Sequence, residues 1–312
     1  MPTASSILAV GSIALDAVKT PKESVIDVLG GSASFFTLAA SHFAPVRLIA
    51  VVGDDLPAQY LRLLEQRPID LTGLQRRPGK TFRWSAEYSG TYLEIRQTLR
   101  TDLNVFADFH PHLPESVRAS RFVFLGNINP GLQHEVLDQV TQAEFIACDT
   151  ISLWIETESP SLERLYRRVH CVMLSYEEAL QFTGQPSLIA AVRQIRELGP
   201  RALIIKRGEY GSLLFTSEGV FAAPARLLEH SQVKDPTGAG DAFAGGFMGA
   251  LARGGRTDEQ ALREAMLYGN VLGALAVTDF SVHGMTDVTL ADLETGAEEL
   301  RAMVSLDGAW RR

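Results

Sequence analysis

Residues 171–205 read CVMLSYEEALQFTGQPSLIAAVRQIRELGPRALII, and they hold the pattern that decides the architecture. Two short apolar runs, Cys171 to Leu174 and Ala202 to Ile205, have the length and composition of buried strands. Between them Leu188, Ala191, Val192, Ile195 and Leu198 fall on one helical face, and Gly199-Pro200 stops that helix. Working outward, further apolar runs occur at Ile7 to Val10, Val46 to Val52, Phe122 to Leu125 and Phe145 to Ala147. Strand alternating with helix predicts an α/β fold: a mainly parallel sheet covered by helices on both faces. In such sheets ligands bind beyond the carboxyl ends of the strands, so the polar residues that follow each run are the ones to inspect.

Two stretches break the alternation. Residues 12–30 carry Val25, Asp27 and Val28 before Gly30-Gly31. Residues 80–108 open KTFRWSAEYSGTYLEIRQTL, with polar and apolar positions alternating about a turn at Ser89-Gly90. Both are expected to form strands of a small second sheet, placed either as a lid over a site or as a decorative hairpin. The whole chain, 1–312, is expected to fold as a single α/β domain with that appendage, since one domain of this class commonly exceeds 200 residues.

Composition narrows the partners. The chain is 46% hydrophobic and 21% charged, with a formal net charge of −8 and a pI of about 5.4. That balance argues against a nucleic-acid backbone or an anionic membrane as main partner, because the average surface would repel either. The opening MPTASSILAV has no Lys or Arg ahead of its apolar run, and no apolar run approaches the roughly 20 residues of a membrane span. The cysteines, Cys148 and Cys171, both sit within strand-like runs and read as reduced core thiols of a cytoplasmic protein.

The chemistry concentrates in Asp235-Pro236-Thr237-Gly238-Ala239-Gly240-Asp241, which is followed by AFAGGFMGALARG. Pro236 and the glycines delay a helix until about Ala239, so the helix opens on the glycines. A helix N-terminus offers free N–H groups and the positive end of a dipole, which together suit an anion such as a phosphate. Asp241 then lies in the first turn. Facing an attacking hydroxyl, it would take the proton while the N–H groups hold developing charge. An acidic first-turn residue that only complements the dipole, with glycines that only allow close packing, fits the same seven residues.

This segment resembles the second signature of the ribokinase, or PfkB-type, carbohydrate kinase family, in which Asp-x-Thr-Gly-Ala-Gly-Asp opens a helix followed by Phe and Gly-Gly. The resemblance extends through Gly11-Ser12-Ile13 with Asp16, Gly30-Gly31-Ser32, Val52-Gly53-Asp54-Asp55, Lys206-Arg207-Gly208 with Gly211, and Asn270, covering roughly residues 7–285. It implies a ribokinase-like fold with a small β-sheet lid. It also implies an ATP-dependent kinase, with Mg²⁺, acting on a hydroxyl of a small sugar or sugar-like molecule. Carried over residue by residue, Asp241 is implied as general base and Gly238, Ala239 and Gly240 as the hole that holds the oxyanion. Asp16, Gly31 and Ser32 are implied to hold the acceptor, with Asn127 of the Gly-Asn-Ile-Asn-Pro loop a weaker candidate beside Asn129. Lys206, Gly208, Gly211 and Asn270 are implied on the nucleotide side. Asp235 and Thr237 resemble ligands of a monovalent cation such as K⁺.

The pattern has departures. Where the family commonly has Asn-x-x-Glu, organising Mg²⁺ and phosphate, this chain has Ser175-Tyr176-Glu177-Glu178. Glu178 keeps the metal-side carboxylate, while Ser175 is a shorter nucleotide-side donor and acceptor. Near Asp149, Ser152 replaces another expected Asn. A nucleoside kinase of the same family therefore stands as one alternative and a catalytically weakened ligand-binding homologue as another. Phe82, Trp84 and Tyr88 suit stacking on a nucleobase or sugar face, or the core of the small sheet, or a homodimer contact through the lid. Arg83 and Arg96 suit a phosphate on the acceptor or plain surface charge. A dehydrogenase lacks its GxGxxG here, a hydrolase its GxSxG, and His110-Pro111-His112 has no ligand cluster around it.

Overall fold

The apolar runs form strands whose side chains are buried on both faces, as a sheet between two helical layers requires. The structure is a computed structural model and describes residues 5–91 and 93–305. In chain order the first elements are β1 (Ile7–Val10), β2 (Ala14–Lys19), β3 (Ser24–Gly30), α1 (Ser32–Ser41), β4 (Val46–Gly53), α2 (Ala58–Glu65), β5 (Ile69–Asp70), β6 (Leu74–Arg77), β7 (Phe82–Ser89) and β8 (Ile95–Asp102). Then follow β9 (Phe122–Leu125), α3 (Pro130–Leu137), β10 (Phe145–Cys148), α4 (Ser152–Tyr166), β11 (Cys171–Ser175), α5 (Tyr176–Thr183), α6 (Leu188–Glu197) and β12 (Ala202–Lys206). The last are β13 (Ser212–Thr216), β14 (Gly219–Ala223), α7 (Ala239–Gly254), α8 (Glu259–Ala276) and α9 (Leu290–Val304).

The main sheet runs β14-β13-β12-β11-β10-β9-β1-β4-β5, with β6 also paired to β4. It is parallel from β12 to β5, and β13 and β14 form an antiparallel hairpin at one edge that the apolar runs alone do not announce. Alternation along β1 divides the core. Ile7 and Ala9 pack with residues of α1, α7, α8 and α9, while Leu8 and Val10 face those of α3, α4, α5 and α6. Phe36 of α1 stacks on Phe124 of β9 with ring centroids 3.9 Å apart, which fixes α1 over the sheet centre. Cys148 and Cys171 are free and buried.

The second sheet has the order β3-β2-β7-β8, from the two stretches where the alternation fails. Its outer pairs are antiparallel, and the central pair β2–β7 is parallel, setting Asp16 opposite Trp84. Among the described residues no helix is long and apolar enough to cross a membrane.

Candidate active site

Parallel pairing brings the residues after several strands to one rim. Ser175 and Lys206 are register partners at the ends of β11 and β12, and Asp149 follows β10. Asn127 lies just beyond β9, and Ser12 just beyond β1. The N-terminus of α7 comes to the same rim. Its cap, Gly238, has φ 75°, and a side chain there would drive a Cβ to 2.3 Å from the ring of Phe35. Both the left-handed backbone and the close approach therefore demand glycine, so packing alone requires a glycine at this position. At Gly240 a Cβ would lie 3.0 Å from Lys206 Nζ, which places that ammonium beside the helix opening.

Lys206 donates to Asp149 Oδ2 at 2.5 Å, and the attraction of Asp149 and then Glu178 counters burial, leaving its pKa above the usual lysine value. Asp241, half-buried in the first turn of α7, has its carboxyl pushed up to about 7. Loss of solvent is the main cause; Asp149 and Glu178 add to it and Lys206 opposes it. Asp241 is therefore poised near neutrality, where a carboxyl group both takes and releases a proton.

On the other side of the opening lies Asp16, 3% exposed, with its Oδ1 buried and without a hydrogen-bond partner. Burial and then Asp235 push its pKa to about 8, against a hydrogen bond from the Gly31 backbone. Gly31 caps α1 with φ 87°. Ser32 is drawn into the scaffold: its Oγ accepts from Ser12 N at 3.2 Å, and its own N–H donates to Ser12 Oγ at 3.2 Å. Ser32 Oγ also lies 3.4 Å from the carbonyl of Asn127, whose side-chain oxygen accepts from Trp154 Nε1 at 3.0 Å. Asn129 caps α3 by accepting from Gly131 N.

Asp235 is buried, with Oδ1 accepting from Thr237 N at 2.9 Å, and burial raises its pKa. Thr237 Oγ1 donates to the hydroxyl of Tyr88 at 3.1 Å, tying β7 of the small sheet to the loop that opens α7. Ser175 and Glu178 are spent locally: Ser175 Oγ accepts from Glu178 N at 3.1 Å and Glu178 Oε2 accepts from Ser175 N at 2.7 Å, a capping box for α5. Asn270 donates to Ser212 Oγ at 2.8 Å, next to buried Gly211, whereas Gly208 is exposed at the start of a short 3₁₀ turn.

Arg83 is taken by Asp27 and by Asp55, the latter at 3.0 Å, and Tyr88, Trp84 and Phe280 pack together, so these residues first build the small sheet and its seat. Two cavities, of about 340 and 290 Å³, are lined by residues around Gly53 and Arg76 and around Thr20 and Phe280. Neither is lined by the glycines of α7. Sequence reasoning passed over Asp149 as a participant and Gln133 altogether. Asp149 had a signal, a polar residue directly after the run Phe145 to Ala147 and Cys148, whereas Gln133 on α3 had none.

No cluster of three or more His, Cys, Asp or Glu side chains arranged for a metal occurs among the described residues. A magnesium ion here fits as one carried by nucleotide phosphates, since Mg²⁺ keeps most of its waters and takes only one or two carboxylates from protein.

The model of the pfkB family carbohydrate kinases matches residues 5–287. A cytidine kinase of Thermococcus kodakarensis is 27% identical over 267 residues, 81% of this chain and 91% of that protein. An aminoimidazole riboside kinase of Salmonella typhimurium is 41% identical over 105 residues, 34% of this chain and 32% of its own length. Among solved structures, the aminoimidazole riboside kinase from Salmonella enterica, complexed with aminoimidazole riboside and an ATP analog, superposes with a TM-score of 0.76. It is 22% identical and covers 94% of this chain and 99% of its own. A match over residues 5–287, a span that contains this rim, places the chain in the pfkB family of carbohydrate kinases.

Proposed function

We propose that Asp241 is the general base by which this chain passes the γ-phosphoryl group of ATP to a hydroxyl of a small sugar or sugar-like molecule. The observation that carries this is the half-buried carboxyl of Asp241, raised to about 7, in the first turn of a helix that opens on Gly238, Ala239 and Gly240. In the step, the bond from the γ-phosphorus to the bridging oxygen breaks and its electron pair leaves on ADP. The acceptor oxygen forms the new bond to phosphorus and its proton goes to Asp241. The N–H groups at the opening of α7 face the charge on the phosphoryl oxygens. Magnesium bound with the nucleotide would neutralise phosphate charge, and Glu178, held by its capping bond to Ser175, would orient the ion's waters.

Asp16, with its unpartnered buried oxygen, and the adjoining Gly31 suit acceptor hydroxyls; Ser32 and Asn127 hold that corner in shape. Gly208, Gly211 and Asn270 lie on the nucleotide side of Lys206. A monovalent cation such as K⁺ would suit Asp235 and Thr237, because the buried carboxyl and the hydroxyl are oxygen donors. The small sheet serves as a lid seated through Tyr88. Two free, buried cysteines suit a reducing, cytoplasmic setting.

A nucleoside acceptor is the second reading. It is favoured by the cytidine kinase that matches 81% of this chain. A thermal-shift panel of sugars and nucleosides with and without ATP, followed by an ADP-release assay, separates the two. Asp241→Asn should lower turnover about a hundredfold or more while nucleotide binding persists. Activity within threefold of wild type would remove Asp241 from the role.

A further inference from the structure

The ion pair between Lys206 and Asp149 is buried, its side chains 17% and 4% exposed. Such a pair is a poor source of stability, because desolvating both ions offsets much of their attraction. Its surroundings are built to hold it still. Asp149 Oδ1 accepts from Thr150 N at 2.9 Å, and the Asp149 N–H donates to the carbonyl of Leu125 at 3.0 Å. The side-chain amide of fully buried Gln133 donates to the carbonyls of Leu125, Gly126 and Asp149 at 3.2, 2.8 and 3.1 Å, stapling the ends of β9 and β10.

An ammonium has three N–H donors, and the contact with Asp149 uses one. Lys206 also acts on Glu178 and Asp241, either of which would compete for it. By taking the ammonium at 2.5 Å, Asp149 keeps it from pairing with Asp241, whose carboxylate stays available for a proton. The ammonium remains at the spot where a Cβ on Gly240 would be only 3.0 Å away, at the opening of α7.

We propose that Asp149 is a positioning residue for phosphoryl transfer, holding the Lys206 ammonium at the glycines that open α7 so that it meets the charge of the phosphoryl group in flight. The proposal rests on the phosphotransferase reading above. In that reaction the γ-phosphorus changes partners from the ADP oxygen to the acceptor oxygen, the acceptor proton passes to Asp241, and negative charge spreads over three phosphoryl oxygens. A fixed cation there acts on the transition state more than on bound ATP.

The test is calorimetric binding of ADP with Mg²⁺, with and without aluminium fluoride, to the full-length chain; the fluoride mimics the phosphoryl group in flight. Fluoride should tighten ADP binding at least about tenfold in the wild-type chain. Lys206→Met should abolish that fluoride-dependent tightening, and Asp149→Asn should lose most of it. In the double variant, which removes both charges and so leaves no lone buried ion, the loss should be no larger than for Lys206→Met alone. Full tightening in Lys206→Met, no tightening in the wild-type chain, or an Asp149→Asn loss that is the same with and without Lys206 would overturn the proposal. Turnover retained in Asp241→Asn would instead sink the base assignment and leave the calorimetric result standing.

Discussion

Asp16 and Asp241 lie across one desolvated opening, and each has a proton affinity far above that of a carboxyl in water. For Asp241 the functional consequence follows directly. Only the ionised form takes a proton, so kcat/KM should rise with pH along a limb centred near 7, read in steady-state assays. A profile flat from pH 5 to 8 would exclude it as the titrating base. For Asp16 the consequence is one of stability. A pKa raised from 3.8 to about 8 means the folded chain binds the proton more tightly than the unfolded chain. The stabilisation is complete below about pH 4 and is lost as pH climbs through about 8. Asp16→Asn should therefore flatten the fall in Tm of the ligand-free protein between pH 4 and 8, an effect on the order of a few kcal/mol. Asp16→Ala should also weaken acceptor binding at neutral pH by roughly 0.5–1.5 kcal/mol, as for a neutral hydrogen bond, and leave ATP binding nearly unchanged, by calorimetry. Equal losses for both ligands would make Asp16 a scaffold residue.

At the scale of the element, α5 shows how a departure from the family spelling is accommodated. Ser175 is a good N-cap, and with Glu178 it satisfies two backbone donors at the start of the helix. Ser175→Ala should cost about 1 kcal/mol in denaturant unfolding, whereas Ser175→Asn, an equally good cap, should cost almost nothing. The two variants then separate capping from metal organisation. If Ser175→Asn also lowers the Mg²⁺ needed for half-maximal activity at saturating substrates, the segment shapes the metal–phosphate arrangement. An unchanged Mg²⁺ titration would leave it as a cap alone. Helix α7 carries the opposite lesson. Its opening glycines answer to two demands at once, since Gly238 must clear Phe35 and Gly240 must admit Lys206.

For the whole molecule, the small sheet is tied to the main body at defined points. Arg83 clamps β7 to Asp27 of β3 and to Asp55 after β4, and Tyr88 fastens it to Thr237. The same sheet leaves Ile26, Ile95 and Leu99 exposed at 76%, 57% and 54%. Exposed apolar side chains on the edge strands of one thin sheet suit burial against a second copy of the chain. Replacing Ile95 and Leu99 together by Lys should turn a dimer into a monomer in sedimentation velocity. A wild-type chain that sediments as a monomer across the micromolar range would dismiss the lid as an interface.

The apolar runs and the 188–198 helical face by themselves determined a parallel sheet under two helical layers, because buried strand and amphipathic helix have distinct periods. The broken pattern at 12–30 and 80–108 likewise marked the second sheet, and Gly238 to Asp241 marked the opening of α7. Chain order could not show that Asp149 meets Lys206, that Gln133 staples two strand ends, or that Tyr88 reaches Thr237. Those pairs lie 57, 7 to 16 and 149 residues apart, and only strand order and sheet twist bring them together. Proton affinities were illegible for the same reason. Asp16 and Asp241 are ordinary carboxyl groups in the sequence, and it is folding that removes their water and sets other carboxylates beside them.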